Sequence, residues 1–502
     1  MSSHKVAPSG HTTSGTWNWR RVRRWAAWSI GAPFALLLVL VLLLLYLAWA
    51  LTNLNDATPM PVPAELVLPA SRVPDERNAA YAVMALFAPE GSDPDALGRE
   101  HWKKSLAWAA APRVGGQAMP YPAGFADSSN GLKPLSGQPW RCAAEGEACV
   151  DQWLAHKEAL AAQRELGRVW GMRCERLLDA AFEFEELLPP RLGVRTTSLV
   201  FASRLVACEG WFTTGAVLAW ASGNGNETLL QLRRANKLRV NFLDGSRTLI
   251  VNVIALRVAR RVESTFATIA VRDAALAPQL AGLLSPLPDL RQVAKRWIAT
   301  EASFQSNLMM DMAIEGQGQG QGQERHQDDV TSEGRAWQTR LALAVADALS
   351  LVRFSLQVER TTQATNQLWL DRIKRLDQPD MGASVVLNEP PEGRFLGFAW
   401  RNTAGQAMND ASMPLYTRYF ARHADAQLHS QVVALALAIQ AQRIPASERE
   451  GWTQKQNLPD TLKQRLSWSD EGRKISAKSW VNLGETVNVD PTLHSATVQW
   501  PH

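Results

Sequence analysis

The sequence predicts a mainly α-helical protein: one N-terminal transmembrane helix, then a multi-helix exported domain with a small β element at its C-terminus. Three observations predict this class. Residues 29–51 form an apolar run without a charged side chain. Long segments between 75 and 442 repeat apolar residues at helical spacing, whereas the end of the chain alternates polar and apolar residues.

The apolar run reads SIGAPFALLLVLVLLLLYLAWAL from Ser29 to Leu51 and is long enough to cross a membrane. At a rise of about 1.5 Å per residue it spans a hydrocarbon core of about 30 Å. Because lipid offers the backbone no hydrogen-bond partner, such a segment has to be helical. We expect a transmembrane helix over residues 28–52, with residues 29–51 in contact with the lipid bilayer.

The charge before this run predicts its orientation. Residues 1–27 form a basic tail without acidic side chains, and positive flanks stay in the cytoplasm. A cleaved signal peptide is the alternative, because Ala48-Trp49-Ala50 resembles a cleavage site. However, a signal peptide has only about 7–15 apolar residues, so the length favours an uncleaved signal-anchor. The basic residues of the tail are Lys5, Arg20, Arg21, Arg23 and Arg24.

The composition argues against a nucleic-acid partner. The formal net charge is +5, but the cytoplasmic tail accounts for all of it, so the remainder of the chain is neutral. A nucleic-acid-binding domain would carry its basic excess on the folded part. The 20 Trp residues are scattered along the chain, which favours core packing over a ligand-stacking surface.

The four cysteines, Cys142, Cys149, Cys174 and Cys208, lie in one part of the predicted exported domain. An even number in an oxidising compartment favours two disulfides. Zinc is an alternative, but the close CxxC pairs of structural zinc sites are missing, and free buried thiols are another. If helices 151–187 and 197–222 form a hairpin about residues 188–193, then Cys174 is level with Cys208. Cys142 then pairs with Cys149.

Periodicity and composition divide the exported part of the chain. We expect a Pro- and Ala-rich tether over 53–74, a helical subdomain over 75–315, a second over 335–456 and a small β-containing tail over 457–502. Between the subdomains, residues 316–334 begin with GQGQGQGQ and predict a flexible Gly/Gln linker. Helices are predicted at 75–87, 99–111, 151–187, 197–222, 227–242, 246–272, 290–314, 335–376 and 415–442.

The β element is predicted from the last part of the chain. Arg465–Trp468 and Lys474–Trp480 alternate polar and apolar residues and flank Asp470-Glu471-Gly472, which indicates a hairpin. Ala496–Trp500 alternates in the same way and adds a further strand.

Sequence motifs give no candidate for catalysis. Outside residues 1–27 no S-x-x-K pattern occurs, and the whole chain has neither G-x-S-x-G nor H-E-x-x-H. We therefore assign no catalytic, cofactor-binding or metal-binding residue and expect no cofactor.

Two charged clusters are expected to form ion pairs. Glu175, Asp179 and Glu183 form an acidic stripe at helical spacing. The predicted hairpin about residues 188–193, which brings Cys174 level with Cys208, also places Asp179 beside Arg204, and we expect these two to form an ion pair. The second cluster is basic, and salt bridges within the domain are favoured over binding of an anion or a lipid headgroup. It comprises Arg233, Arg234, Lys237, Arg239, Arg247, Arg257, Arg260 and Arg261.

Three features carry a resemblance. They are ERNAAYAVMALFAPEGSDPDALG at 76–98, the paired cysteines before a long helix, and FLGFAWRNTAGQAM at 395–408 before a Tyr-containing helix. In this order the chain resembles uncharacterised single-pass inner-membrane proteins of the Gram-negative envelope. The resemblance implies a location in the bacterial inner membrane with the bulk of the chain in the periplasm, and it implies no activity.

These observations together favour an interaction or structural role in the envelope, with another envelope protein as a partner. Two alternatives stay open: a periplasmic hydrolase whose site is assembled from dispersed residues, and a carrier of lipid or a small ligand.

Overall fold

The computed structural model describes residues 37–46, 57–110, 132–135, 140, 142, 147–179, 183–189, 200–318, 357–378, 402–469, 471–479 and 496–499. Helices dominate this part of the chain, as the sequence predicts. In chain order they are α1 (Ala80–Met84), α2 (Pro94–Ala110), α3 (Glu147–Ala155), α4 (Lys157–Leu166), α5 (Arg168–Asp179), α6 (Val200–Ala221), α7 (Gly225–Gly245), α8 (Leu249–Arg272), α9 (Ala277–Leu283), α10 (Leu290–Gly318), α11 (Val358–Leu376), α12 (Thr403–Ala441), α13 (Arg449–Lys455) and α14 (Asp460–Lys463).

Helices α6, α7, α8 and α10 begin and end within four residues of where the sequence predicts them. Two of these starts have a side-chain cap: Asn224 accepts a hydrogen bond from Glu227 N before α7, and Thr248 accepts one from Val251 N before α8. Such caps satisfy backbone N–H groups that have no partner within the helix. The predicted helix at 415–442 is longer at its N-terminal end, where α12 begins at Thr403.

The predicted single helix over 151–187 is wrong. The chain forms three consecutive helices there, α3, α4 and α5, which are interrupted at His156 and Gly167. After α5 ends at Asp179, residues 183–189 are extended. Tertiary hydrogen bonds explain the extended conformation, because Glu183 O accepts from Ala79 N while the side chains of Glu185 and Glu186 accept from distant backbone N–H groups. These bonds override a local sequence preference for helix.

The predicted β element is confirmed. Strands β1 (Leu466–Ser469), β2 (Lys474–Ala477) and β3 (Ala496–Gln499) form an antiparallel sheet in the order β1-β2-β3. Gly472 has a positive φ of 82° in the turn between β1 and β2, a conformation that suits glycine. Ile475, Ala477 and Val498 are buried, so one face of the sheet packs on the helical domain.

One large core joins the regions that the sequence separates by the Gly/Gln linker. It contains residues of α1 and α5–α9 together with Leu428 and Val432 of α12 and Ile475 of β2. A second cluster lies between α10, α11 and α12, where the indole of Trp297 lies 4.8 Å from the ring of Phe420 and 6.1 Å from that of Trp369. These tryptophans are fully buried, as is Trp170 in the first core, which fits the expected packing role.

The predicted tether is extended in part but lies against the domain. A short 3-10 helix, Ala64–Leu66, places Leu66 in the second cluster, and residues 71–73 hydrogen-bond to Glu185. Further along the chain, α10 continues through Gly318, so the first residues of the expected linker extend that helix. Residues 319–334, and with them most of the predicted linker, lie outside the described residues.

The predicted transmembrane segment is described only at residues 37–46. These ten residues are helical, and their side chains are exposed. Within the ranges that the structure describes, no helix has the length and apolar character needed to cross a membrane.

Candidate functional site

A cavity of about 590 Å³ lies between α5 and the chain that runs from α1 to the start of α2. Its lining comes from residues 79, 82 and 90–95 on one side and from α5 on the other. We call it the α5 pocket. Its volume lies in the range of about 300–1,000 Å³ that is typical of small-molecule sites.

The sequence of α5 gives this helix two different faces. Trp170, Gly171, Cys174 and Leu178 are buried against the domain, whereas the side chains at 169, 172, 173, 176 and 177 line the pocket. The second set follows 3- and 4-residue steps, which places its members on one side of a helix. The wall of the pocket is therefore a helix face that the domain core leaves uncovered.

The position of α5 is fixed by its contact with α6. A Cβ atom at Gly171 would lie 2.4 Å from the indole of Trp211, so only glycine allows α5 to approach this closely. One turn later, Cys174 and Cys208 form a disulfide with a Cα–Cα distance of 5.6 Å. The Nε1 atom of Trp211 donates to Glu175 at 2.8 Å. Together these contacts hold the pocket face outward.

The pocket wall is apolar in its middle. Ala79 and Ala82 face Val169, Met172 and Leu177 across the cavity, and each of these five side chains is half-buried. Apolar area of this kind is removed from water when a ligand binds, which contributes roughly 25 cal/mol per Å².

Two arginines of α5 bring positive charge to the pocket. Arg173 is buried, and its guanidinium donates from Nη1 to Leu86 O at 2.9 Å and Ala88 O at 2.7 Å, and from Nη2 to Pro89 O at 2.7 Å. Burial lowers the pKa of Arg173, and the neighbouring Arg176 lowers it further, while Glu90 opposes the shift. Within the described residues, neither Arg173 nor Arg176 has a carboxylate within salt-bridge distance.

Three acidic residues line the opposite rim, and two of them are already engaged. Asp95 accepts from Arg99 Nε at 2.7 Å, and Asp93 accepts from Asp95 N at 3.0 Å. Glu90 is exposed beside Gly91, whose positive φ of 79° turns the chain towards α2. The rim is therefore shaped by a turn and a helix start, and the two α5 arginines face it from across the cavity.

A second cavity, of about 410 Å³, lies between residues 286–291 and α12. Ser430 lines it, and beneath Ser430 lies a buried cluster of Arg239, Glu263 and His429. Arg239 donates to Glu263 and to Ser285 O, while His429 Nε2 lies 3.4 Å from Ser264 Oγ and 3.8 Å from Glu263 Oε2.

The electrostatics of this cluster indicate a role in packing. Burial raises the pKa of Glu263 while Arg239 and Ser430 oppose the shift, and burial lowers the pKa of His429 to about 3. A serine nucleophile needs its base at about 2.6–3.2 Å and an open approach for substrate. Ser264 is farther from His429 and is buried itself, so the cluster connects α7, α8 and α12 without presenting a nucleophile.

The predicted disulfides are confirmed. Cys142 pairs with Cys149, and Cys174 pairs with Cys208. Helices α5 and α6 are neighbours, as the predicted hairpin about residues 188–193 requires. The prediction of a continuous helix up to 187 is wrong, because α5 ends at Asp179.

The predicted Asp179–Arg204 ion pair is replaced by another. Asp179 accepts two hydrogen bonds from Arg234, at 2.9 Å and 2.6 Å, and Arg234 also lies 3.1 Å from Glu175. The guanidinium of Arg204 instead lies 4.2 Å from the ring centroid of Phe87. The predicted pair takes only α5 and α6 into account, whereas α7 also packs on α5 and supplies Arg234 as the partner of Asp179. Glu183 lies beyond α5 and pairs with Arg77, so the acidic stripe has only two helical members.

Four of the eight residues of the basic cluster form ion pairs with acidic residues of the domain, as expected. Arg234 pairs with Asp179, Arg239 with Glu263, Arg247 with Glu185, and Arg261 with Glu209. The sequence predicts that these residues pair with acidic side chains, but it does not identify the individual partners. Each partner is 24 to 62 residues away along the chain.

Sequence reasoning missed the pocket residues. Arg173 and Arg176 lie three residues apart on α5, next to Cys174. This spacing is the sequence feature that could have identified them as neighbours on one helix face. Glu90, Asp93 and Asp95 lie near Gly and Pro between the helices predicted at 75–87 and 99–111. Within the described residues, no three His, Cys, Asp or Glu side chains stand close enough together to hold a metal ion.

Comparisons of the chain with models of protein families, with curated proteins and with solved structures find no match. The function therefore has to be argued from the geometry of this chain alone.

Proposed function

We propose that this chain is a membrane-anchored periplasmic protein of the bacterial envelope with an interaction role, and that it binds through the α5 pocket rather than catalysing a reaction. Residues 28–52 form the transmembrane helix, residues 1–27 stay in the cytoplasm, and residues 54–502 are exported. The lipid bilayer is then one partner, and a molecule held in the α5 pocket is another.

The main support for the proposed membrane anchor is the apolar helix at 37–46. Its nine leucine and valine side chains, at residues 37–45, are 43–62% exposed, and none of them belongs to a hydrophobic core cluster of the described residues. A helix that is apolar on every side requires a non-aqueous environment. The sequence continues this character from Ser29 to Leu51 without a charge, which meets the length of a membrane span.

The disulfides support export. Both pairs are formed within the folded domain, and disulfides persist in the periplasm but are rare in the cytoplasm. All four cysteines lie on the C-terminal side of the apolar run, which agrees with an N-terminus in the cytoplasm.

A fusion experiment tests the topology. An export-dependent reporter fused after His502 should be active, whereas a reporter that functions only in the cytoplasm should be inactive at the same position. Placing Arg at both Leu40 and Leu43 should abolish membrane retention, because each charge at the helix centre costs about 2.5–3.5 kcal/mol. Leu40→Ile with Leu43→Ile is the matched control and should leave retention unchanged.

The opposite reporter pattern would overturn this proposal. A mature chain that begins at Leu51 would replace the anchor by a cleaved signal peptide and leave export intact.

A binding role is supported by the α5 pocket. The pocket combines an apolar wall with charged groups at its rim, which is the usual composition of a ligand site. Among the alternatives, the pocket favours a small-ligand carrier over a hydrolase, because three of the buried acidic groups, Glu185, Glu209 and Glu263, are engaged in ion pairs inside the domain.

A further inference from the structure

The two arginines of the α5 pocket form an unusual electrostatic arrangement. Arg173 and Arg176 lie one helical turn apart on the pocket face of α5, so their guanidinium groups repel each other. Elsewhere in the described domain, buried arginines such as Arg239 and Arg247 have carboxylate partners. Arg173 is buried to a similar extent and has only carbonyl partners there, which do not cancel its charge.

The geometry leaves donors for a ligand. A guanidinium has five N–H groups, and the bonds from Arg173 to residues 86, 88 and 89 use three of them. Those bonds also orient the side chain, so the remaining donors are held in place before a ligand arrives. Arg176 is exposed at the mouth and has no carboxylate within salt-bridge distance among the described residues, so it can turn towards the same ligand.

The remaining walls define the rest of the ligand. Val169, Met172 and Leu177 continue the pocket from the arginines along α5, and Ala79 and Ala82 cover it from the other side. A molecule that places an anionic group on the arginines therefore lays its other end on an apolar surface. The volume of about 590 Å³ admits a chain of about eight carbons with its head group.

We propose that the α5 pocket binds an amphipathic organic anion, in which a carboxylate or phosphate group contacts Arg173 and Arg176 and an apolar chain packs between α1 and α5. The acidic rim is partly neutralised, because Asp95 is paired with Arg99, whereas Asp93 accepts only from the neutral backbone N–H of Asp95. Asp93 and Glu90 therefore keep their negative charges near the mouth and weaken binding of an anion, and the two arginines of α5 have to outweigh them.

Thiol protection tests the proposal in the full chain. All four native cysteines are in disulfides, so Ala82→Cys introduces a single reactive thiol on the pocket wall. The full chain in nanodiscs of zwitterionic lipid is treated with a maleimide while octanoate, octyl phosphate, octylamine or octanol is titrated. Octanoate or octyl phosphate should slow alkylation saturably, and the better of the two identifies the head group. Octylamine and octanol should protect much less.

Two variants, each of which removes one charge on a different side of the pocket, test whether protection depends on the arginines. Arg176→Gln should raise the concentration of anion needed for protection by about tenfold or more, since a charge-assisted hydrogen bond is lost. Glu90→Gln should leave that concentration unchanged or lower it. Arg168→Gln is the matched control on α5, because Arg168 pairs with Glu165 outside the pocket, and it should have no effect.

Other controls separate binding from partition into lipid. Ala162→Cys, on the exposed surface of α4, should be alkylated at the same rate with and without the anion. Met172→Cys is a second pocket reporter should Ala82→Cys disturb α1.

The proposal is overturned if octanol protects as well as octanoate, if octylamine protects better, or if no probe protects. It rests on the proposed function for the compartment and for the α5 pocket as a binding site, and it adds the chemical class of the ligand. The reporter fusions test export independently, so a failed protection experiment and a failed topology can be told apart.

Discussion

Glu185 and Glu186 are neighbours in the sequence, yet each connects a different part of the molecule to residues 183–189. Glu185 binds the segment at 71–73, and Glu186 accepts from Arg247 N at 2.7 Å, Thr248 N at 2.8 Å and Thr248 Oγ1 at 2.6 Å. Three donors favour the ionised form of Glu186, but burial opposes it and raises the pKa to about 7. Burial has the larger effect.

The pH dependence of stability should report this shift. The folded protein keeps Glu186 protonated between about pH 4.5 and 7, where the unfolded chain is ionised, so the contribution of this group to stability falls as pH rises through 7. The slope is at most about 1.4 kcal/mol per pH unit for one proton. Glu186→Gln cannot ionise and lacks this contribution.

Urea unfolding of the full chain in mild detergent, at pH 5, 6, 7 and 8, provides the measurement. The free energy of unfolding of Glu186→Gln minus that of the wild type should rise from pH 5 to 8. Glu209, Glu263 and Glu301 also have raised pKa values, and they affect both proteins equally. A difference that stays constant with pH would contradict the prediction.

At the scale of elements, the two disulfides stabilise different lengths of chain. Cys174–Cys208 closes a loop with a sequence separation of 34, whereas Cys142–Cys149 closes one of 7. In the chain-entropy model the longer loop contributes about 3–4 kcal/mol and the shorter one about 2 kcal/mol. The longer one also joins α5 to α6, so it holds the wall of the α5 pocket.

The double variant Cys174→Ala/Cys208→Ala should therefore lose about 1–2 kcal/mol more stability than Cys142→Ala/Cys149→Ala, measured by urea unfolding. It should also alter the protection of Ala82→Cys by octanoate, while the 142/149 variant should not. Equal losses in both variants would show that loop length does not determine the contribution.

The same elements show how far the sequence predicts the structure. Helices α6, α7 and α8 follow from apolar periodicity and capping residues, and β1 and β2 follow from alternation about a turn at Glu471 and Gly472. Both signals are local. The end of α5 at Asp179 depends on hydrogen bonds from residues 79, 247 and 248, which no local pattern contains.

In the candidate site, too, local features can be predicted from the sequence and long-range contacts cannot. The pairing of Cys174 with Cys208 could be derived because it needs only the spacing along two neighbouring helices. The partner of Asp179 could not, because Arg234 belongs to a third helix whose position depends on packing. The α5 pocket forms between two segments that are about 80 residues apart, and only the finished fold brings its walls together.

At the scale of the whole molecule, the segment that follows the proposed anchor limits how far the domain can lie from a bilayer. Six residues, 52–57, separate the apolar run from Thr58, whose carbonyl accepts from Gln363 Nε2 of α11 at 2.7 Å. Six extended residues reach about 20 Å. With residues 28–52 in the membrane, as we propose, the domain is held near the bilayer with α11 close to it, provided that residues 58–73 stay in place on the domain surface.

Glu185 is the residue on which this attachment depends. Its Oε2 atom accepts from Ser71 Oγ at 2.8 Å, Arg72 N at 2.6 Å and Val73 N at 3.0 Å, and Arg247 Nη2 beside it donates to Pro69 O. In Glu185→Ala these backbone N–H groups lose their acceptor and Arg247 loses its carboxylate partner. We expect the segment at 66–73 to detach while the domain stays folded.

Limited digestion with trypsin should show the detachment, because the Arg72–Val73 bond is held at Glu185 in the wild type. Cleavage there should be at least about tenfold faster in Glu185→Ala, as losing a buried charged partner costs several kcal/mol. Glu183→Ala is the matched control two residues away, since the Glu183 side chain pairs only with the exposed Arg77, and its cleavage rate should equal the wild-type rate. If cleavage sites within α7 and α8 accelerate as much as Arg72–Val73, the variant has unfolded globally and Glu185 supports the whole domain. If the rate at Arg72–Val73 does not change, the segment is held by Leu66 and the second cluster instead, and Leu66→Ala should then release it.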